Sequence, residues 1–246
     1  MRRIVRCIYL VMTRTCPDFC DLLVRSAFGR RLHQHLWSYS IPEKVEYRGA
    51  TFWLPKNMGA IPVNGHYLED VELDWVLARL NAGDVCVDVG ANIGYWACIL
   101  GLHGFDVHAF EPCADNYRFL RRNIIHNKVD RRVLAHKAAC GDKNGSAILN
   151  HAPMATGHTL TAVESGEAER VDVVRMDSVV ERVDFAKIDA EGWEAPVLRG
   201  MGDLIKKCSP RLLVELSPKF LNVDETLRVL AEYGYNLYNI THDPIG

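Results

Sequence analysis

The sequence predicts an α/β domain with a doubly wound, mostly parallel sheet, preceded by a helical N-terminal extension. Two patterns in the 246 residues support this prediction. From residue 85 to residue 240, short apolar runs alternate with amphipathic segments, an order typical of right-handed βαβ crossovers. A turn rich in small residues follows the first apolar run, at the edge where such sheets bind their ligands.

Residues 1–44 form the predicted extension, which is basic. Residues 1–36 contain seven arginines and only two acidic residues, whereas the whole chain has a net charge of −2. A basic, partly apolar helix of this kind packs against the rest of the protein or contacts an anionic membrane surface, and both alternatives stay open. The overall charge gives no reason to expect nucleic acid as a partner.

The main domain is predicted over residues 45–246, with its core at 65–240. Its first half should contain a hairpin around Gly49, a helix that ends near Gly83, and then three strands separated by two helices. The predicted bounds are 45–54 for the hairpin, 71–80 for the first helix, 85–89, 105–110 and 133–139 for the strands, and from residue 95 and 115–127 for the helices between them.

The second half begins with an interruption of this alternation. Residues 143–183 are first rich in glycine, serine and threonine and then strand-like, which predicts an inserted hairpin. Alternation resumes with strands at 185–188, 211–216 and 235–240, and with helices from about residue 195 and over 224–233.

Cysteine and histidine placement predicts neither disulfides nor a metal site. Four of the eight cysteines, Cys86, Cys98, Cys113 and Cys140, lie in or beside apolar runs, where a free thiol behaves as a small hydrophobe, so we expect a reducing cytoplasm. Cys16 and Cys20 lack a second pair at zinc-finger spacing, and the histidines show no metal-ligand spacing. Magnesium held by Asp189 and Glu215 is a less favoured alternative.

The turn after the first strand contains five predicted cofactor-binding residues, namely Asp88, Gly90, Ala91, Asn92 and Gly94. It lacks the middle glycine of the dinucleotide fingerprint G-x-G-x-x-G. The Asp88 carboxylate would repel a pyrophosphate and attract an ammonium group. This charge therefore favours S-adenosylmethionine, which has an α-ammonium and a sulfonium, over a nicotinamide dinucleotide.

The next two strand ends supply candidates for the adenosine part of the cofactor. Glu111 follows the second strand, 21 positions after Gly90, where a carboxylate can accept hydrogen bonds from both ribose hydroxyls. Asp142 follows the third strand and is predicted to meet the adenine edge. The alternative for Asp142 is a simple turn residue, because Gly-Asp-Lys-Asn-Gly is a good turn sequence.

Three residues are candidates for catalysis. Asp189 and Glu191 follow the fourth strand, which should lie beside the first and so face the reacting methyl group. His158 lies in a polar loop that could close over the acceptor. An aliphatic hydroxyl is a poor nucleophile until a base removes its proton, which is the role expected here. The alternatives are a helix cap for Glu191 and an exposed loop histidine for His158.

The strings at residues 83–94, 110–112 and 187–194 together resemble the FkbM family of methyltransferases. The order and spacing of the strings agree with the family over about residues 65–240. This resemblance implies a Rossmann-like class I methyltransferase fold, S-adenosylmethionine as the donor, and O-methylation of a saccharide, polyketide or similar hydroxyl compound. The string Arg175-Met176-Asp177 departs from the Thr-Leu-Asp-like pattern usual before the fourth strand.

Three functional classes follow from these observations. An S-adenosylmethionine-dependent O-methyltransferase is favoured. A nicotinamide-dependent oxidoreductase is disfavoured by Asp88 and the missing middle glycine, and a catalytically silent binding module by the intact acids at the strand ends. Acceptor specificity is expected to reside in residues 1–80 and 143–183, and the sequence does not indicate the oligomeric state.

Overall fold

A computed structural model of the protein describes residues 42–56, 58, 70–152, 158–160, 167–216 and 223–238. Most of the predicted N-terminal extension, residues 1–41, lies outside these ranges. No helix in the described ranges is long and apolar enough to cross a membrane.

The described chain begins with the predicted hairpin. Strands β1 (Lys44–Tyr47) and β2 (Ala50–Trp53) pair antiparallel around Gly49. Helix α1 (Asp70–Leu77) follows, ending three residues before the predicted limit. Asn123 and Asn127 hold β2 in place, because their side-chain oxygens accept the backbone N–H groups of Trp53 and Thr51 at 2.7 and 2.8 Å.

The remaining elements alternate between strands and helices up to the insertion and again after it, as predicted, except that two helices follow β9 in succession. In chain order they are β3 (Val85–Val89), α2 (Tyr95–Leu102), β4 (Asp106–Phe110), α3 (Ala114–His126), β5 (Val133–His136), β6 (Ala139–Cys140), β7 (Gly145–Asn150), β8 (Ala168–Val174), a short 3₁₀ helix (Met176–Ser178), β9 (Phe185–Ile188), α4 (Glu194–Gly200), α5 (Gly202–Cys208), β10 (Arg211–Val214) and α6 (Val223–Glu232).

Five of these strands form a parallel sheet in the order β10-β9-β3-β4-β5. The order reverses beside β3, because the chain adds β4 and β5 on one side and later β9 and β10 on the other. The fourth predicted strand, β9, therefore lies next to the first, as expected, and Asp88 is aligned with Lys187. The carboxyl ends of β3, β4 and β9 meet at one edge of the sheet, where open α/β sheets bind ligands.

Two apolar clusters cover the two faces of this sheet. Cys86 belongs to the cluster that contains α2, whereas its neighbour Val87 belongs to the cluster that contains α4. Because successive side chains of a strand point to opposite faces, these clusters lie on opposite sides. The predicted doubly wound α/β architecture is confirmed.

A second sheet, with the order β6-β8-β7, contains the predicted inserted hairpin as the antiparallel pair β7 and β8. The prediction of one strand over 133–139 was wrong. The chain leaves the central sheet after His136, and Ala139 and Cys140 pair with β8 instead. The strand predicted over 235–240 is absent at residues 235–237, whereas Tyr238 forms a single β-bridge; residues 239 and 240 lie outside the described ranges.

Candidate functional site

A cavity of about 930 Å³, including its open mouth, lies at the carboxyl edge of the central sheet. Its walls come from the ends of β3, β4 and β9, from α2 and α3, and from the inserted sheet. Eight of the ten predicted site residues line it, namely Asp88, Gly90, Ala91, Asn92, Glu111, His158, Asp189 and Glu191. The fold thus brings together residues that lie up to 103 positions apart, from Asp88 to Glu191.

Gly90 allows the turn after β3 to lie directly against the turn after β9. Its φ is +77°, and a Cβ atom there would be 1.9 Å from the backbone oxygen of Asp189. The N–H groups of Gly90 and Ala91 both donate to the Phe110 carbonyl at 3.0 Å. A side chain at position 90 would therefore separate two walls of the cavity.

Glu111 is buried at the end of β4, and the backbone fixes both of its carboxylate oxygens. One accepts the Asn92 N–H and the other the Cys113 N–H, each at 2.8 Å. Burial raises the pKa of Glu111 to about 8, while these two N–H groups act in the opposite direction. A carboxylate has about four lone-pair positions, so Glu111 can still accept two further donors from a ligand.

Lys187 is a cavity residue that the sequence reasoning missed. It is 6% exposed, and its Nζ lies 2.9 Å from Oδ2 of Asp189. Asp88, its aligned neighbour on β3, is also buried. A lysine inside an apolar strand, two positions before an acid, was the available signal, since such a charge needs a partner.

Glu194 shapes the loop that presents Glu191 to the cavity. Its Oε1 accepts the N–H groups of Gly192 at 2.9 Å and Ala190 at 3.3 Å. Burial raises the pKa of Glu194, which is the first residue of α4. Glu191 has a φ of +47°, which a side chain adopts only at a cost. The N-cap residue of α4 is Trp193, so Glu191, for which a helix cap was the alternative, lines the cavity instead.

The inserted segment contacts the cavity at His158, which lines it, and Thr159 joins this segment to the loop after β9. Nδ1 of His158 accepts the Ala152 N–H at 2.9 Å, and the Thr159 hydroxyl donates to the Glu191 carbonyl at 2.6 Å. Burial and the neighbouring His151 lower the pKa of His158 to about 4. His158 is therefore half-buried at the cavity rather than exposed in a solvated loop.

Two predicted cofactor residues do not line the cavity. A Cβ atom at Gly94 would lie 2.6 Å from Cδ1 of Leu120, so Gly94 permits close packing of the turn on α3. The backbone carbonyl of Asp142 accepts Nη1 of Arg175 at 2.8 Å, and Ala139 and Cys140 line the cavity in its place. Glu215, the alternative magnesium ligand, is exposed beyond β10 and is likewise absent from the lining.

Large side chains that the sequence reasoning did not assign to the site complete the walls. Tyr95 and Trp96 come from the start of α2, Asn116 from α3, and Phe110 from the end of β4. Trp193, weighed as either a core or an acceptor residue, lines the cavity and also packs against the core. Tyr95 and Trp96 could have been found from their place directly after the small-residue turn.

Comparison with known proteins identifies this architecture. The family described as the methyltransferase FkbM domain matches residues 88–237, which is more than half of the chain. This range begins at the Asp88 carboxylate and includes every other residue of the cavity wall.

Named relatives agree with this match. The 31-O-demethyl-FK506 methyltransferase FkbM of Streptomyces tacrolimicus is 32% identical over 65% of this chain and 75% of its own length. The hexuronic acid methyltransferase AglP of Haloferax volcanii is 28% identical over 53% of this chain and 55% of its own. A crystal structure of methyltransferase FkbM from Methylobacillus flagellatus aligns with 89% of this chain and 53% of its own at 20% identity, with a TM-score of 0.48.

The chain thus spans three quarters of the first relative but little more than half of the other two proteins. Together with the extent of the family match, the identity and coverage of the first relative show that this protein belongs to the FkbM family of methyltransferases.

Proposed function

We propose that the protein transfers the methyl group of S-adenosylmethionine to a hydroxyl oxygen of a saccharide, a polyketide or a similar acceptor. The observation that carries the proposal is Glu111, whose carboxylate is fixed by two backbone N–H groups at the end of β4 and faces the cavity. Such a carboxylate is suited to a ribose diol.

The cavity also fits the charge of this cofactor. Asp88, Glu111, Asp189 and Glu191 line it, with Lys187 as a lining cation. Carboxylates favour the ammonium and sulfonium groups of S-adenosylmethionine and oppose the pyrophosphate of a nicotinamide dinucleotide. Gly90 lets the turn after β3 pack directly against the Asp189 backbone, which brings the carboxylates of these two cavity walls close together.

When bound, S-adenosylmethionine supplies a methyl group activated by its sulfonium. The chain must orient the acceptor in line with that group, and alignment supplies much of the rate enhancement in such displacements. Asp189 and Glu191 are our candidates for taking the acceptor's hydroxyl proton, since both line the cavity beside β3. Lys187 positions the Asp189 carboxylate, and His158, which also lines the cavity, is a third candidate base.

The acceptor class rests on the relatives and on the insertion. One relative is named for methylation at the 31-oxygen of FK506 and the other for a hexuronic acid, which supports polyketide and saccharide hydroxyls. Leu149 and Leu160 of the inserted segment line the cavity and offer apolar contacts to an acceptor. The proposal includes no nucleic acid partner.

We infer the division of the chain from the same evidence. Residues 45–246 are the methyltransferase domain, and residues 1–44 are a basic extension that packs on this domain or contacts an anionic membrane surface. A cytoplasmic location would supply S-adenosylmethionine and keep the buried thiols reduced.

The test is calorimetric titration with S-adenosylhomocysteine and, separately, with NADH. We expect S-adenosylhomocysteine alone to bind, and Glu111→Gln to weaken it by roughly tenfold or more, since a hydrogen bond to a charged group contributes about 1.5 kcal/mol or more. Glu181→Gln, at an exposed position, is the matched control. Binding of NADH would overturn the proposal, and folded protein that bound neither ligand would favour a silent binding module.

A positive titration leads to an acceptor screen. Incubation with S-adenosylmethionine labelled in its methyl group, together with saccharide or polyketide fractions, should transfer label to product. The label should be stable to mild base if it is an ether on a hydroxyl oxygen. Loss of the label under mild base would indicate methylation of a carboxylate and contradict hydroxyl methylation.

A further inference from the structure

One thiol and two imidazoles meet where the inserted sheet contacts the main domain. Cys113, His151 and His158 each offer a ligand atom, and these atoms all lie within 4.8 Å of one another. Cys113 precedes helix α3, whereas His151 follows β7 and His158 lies on the segment that bridges back to it. This cluster was not predictable from residue spacing, because 45 positions separate Cys113 from His158.

The donor set is one that zinc prefers. Zinc is bound in proteins by thiolate and imidazole at about 2.3 and 2.0 Å, in tetrahedral geometry. Ligand atoms of such a site are roughly 3.3 to 3.6 Å apart, so rotations of these side chains by about 1 Å would close the cluster around an ion. Calcium and magnesium prefer oxygen ligands and are disfavoured here.

The surroundings of the cluster resemble those of a metal site. Oε1 of Glu169 on β8 lies 3.3 Å from Nε2 of His151, and it accepts the Ala114 N–H at 3.1 Å. A carboxylate behind a ligating histidine fixes the ring orientation and increases the basicity of the ring. Cys113 is buried and is the N-cap residue of the thirteen-residue helix α3, so the start of the helix fixes its position beside the two histidines.

We propose that Cys113, His151 and His158 form a zinc-binding site that fastens the inserted sheet to the main domain at the rim of the cavity. Glu169 orients His151, and water completes the coordination. Binding transfers the Cys113 thiol proton to solvent. It also competes with the Ala152 N–H for His158, so that amide should be released. A His158 that binds zinc does not act as the base that takes the proton of the acceptor hydroxyl.

This inference is independent of the methyltransferase proposal, because its test needs neither cofactor nor acceptor. Chelator-treated full-length protein is titrated with zinc chloride by calorimetry, and with cobalt(II) by absorption. We expect one equivalent of each metal to bind, and cobalt to give the charge-transfer band of a thiolate ligand. Zinc should raise the melting temperature, since a metal that binds only the folded state stabilises that state.

Variants decide whether these residues are the ligands. Cys113→Ser should remove the charge-transfer band. His151→Gln should weaken zinc binding, and because His151 is only partly buried, this second result does not depend on replacing a buried residue. Glu169→Gln should weaken it by about 10- to 100-fold, as partners of ligating histidines commonly do. Cys208→Ser and His103→Gln are the matched controls and should bind zinc as the wild type does.

The proposal is overturned if folded wild-type protein binds no zinc. It is also overturned if Cys113→Ser and His151→Gln both keep the wild-type zinc affinity, since the metal would then bind elsewhere.

Discussion

The Thr159 hydroxyl donates a 2.6 Å hydrogen bond to the backbone carbonyl of Glu191, which joins the inserted sheet to the loop after β9. The two residues are 32 positions apart in the sequence. Glu191 lines the cavity, and Thr159 stands between the lining residues His158 and Leu160. Thr159 is buried, so the bond is shielded from water. The insertion is thereby coupled to the loop that presents a candidate base.

Thr159→Val should therefore loosen the loop after β9. Loss of one buried hydrogen bond should lower the free energy of unfolding by about 1 kcal/mol. Urea denaturation measures this change, and hydrogen exchange should be faster at the amides of Glu191 and Gly192. Thr51→Val, in β2, is the control and should leave exchange at those amides unchanged. Equal exchange in Thr159→Val and the wild type would contradict the coupling.

Gly90→Ala should impair cofactor binding through its contact with Asp189. The new Cβ would lie 1.9 Å from the Asp189 oxygen, so the two walls must separate. We expect the affinity for S-adenosylhomocysteine to fall by roughly tenfold or more, about 1.4 kcal/mol. Gly83→Ala is the matched control, because Gly83 has a similar φ of +89° but nothing within 4 Å of an added Cβ.

Gly83→Ala should lower stability by about 1 to 2 kcal/mol, from the left-handed backbone alone, without changing the affinity. Equal affinities for the two variants would show that backbone conformation, and not contact with Asp189, makes glycine necessary at position 90.

Lys187→Met should destabilise the protein by about 2 kcal/mol, because it leaves the Asp189 carboxylate in a largely buried site without its ammonium neighbour. The double variant Lys187→Met/Asp189→Asn should recover much of this loss. Urea denaturation of the two single variants and the double variant gives their coupling energy. Additive losses would mean that the 2.9 Å contact contributes nothing to stability.

Stability should fall as the pH decreases, through the pair His108 and His136. Nδ1 of His108 lies 3.0 Å from Nε2 of His136. Burial lowers the pKa of His108, opposed by Asp106, and burial together with His108 lowers the pKa of His136 to about 4. The unfolded chain thus binds more protons, so this contribution to stability is lost as the pH falls from about 6.5 towards 4.

His136→Phe keeps a ring beside Phe110, against which His136 stacks with centroids 4.3 Å apart. This variant should flatten the dependence of the unfolding free energy on pH between about 4 and 6.5. His103→Gln, at the C-cap of α2, should retain the wild-type dependence. A wild-type dependence in His136→Phe would contradict the assignment.

Much of the central sheet was predictable because its strands are short apolar runs buried on both faces. The limits of β3 and β9 agree with the predicted bounds exactly. The split between β5 and β6 was not predictable, since residues 133–140 form one mostly apolar run and the partner of β6, residues 168–174, comes later in the chain. Strand pairing of this kind depends on tertiary contacts that no local pattern records.

The candidate site, like the sheet, has residues that were predictable from the sequence and residues that were not. Asp88, Gly90, Glu111 and Asp189 stand at strand ends, so topology alone predicted that they would meet. Lys187 was missed although a local signal was present, because residues two positions apart along a strand point to the same side and Lys187 can therefore meet Asp189. Asp142 was assigned to the cavity on the assumption of an uninterrupted third strand, and the departure of β6 places its neighbour Cys140 there instead.

The place of β9 between β3 and β10 has a consequence for the synthesis of the protein. Asp88 and Lys187 are adjacent across the sheet although 99 positions separate them in the chain. A nascent chain that ends before residue 185 has β3, β4 and β5 but leaves one edge of β3 open, with Asp88 beside it. Until β9 leaves the ribosome, this unpaired edge is a surface for chaperones or for aggregation.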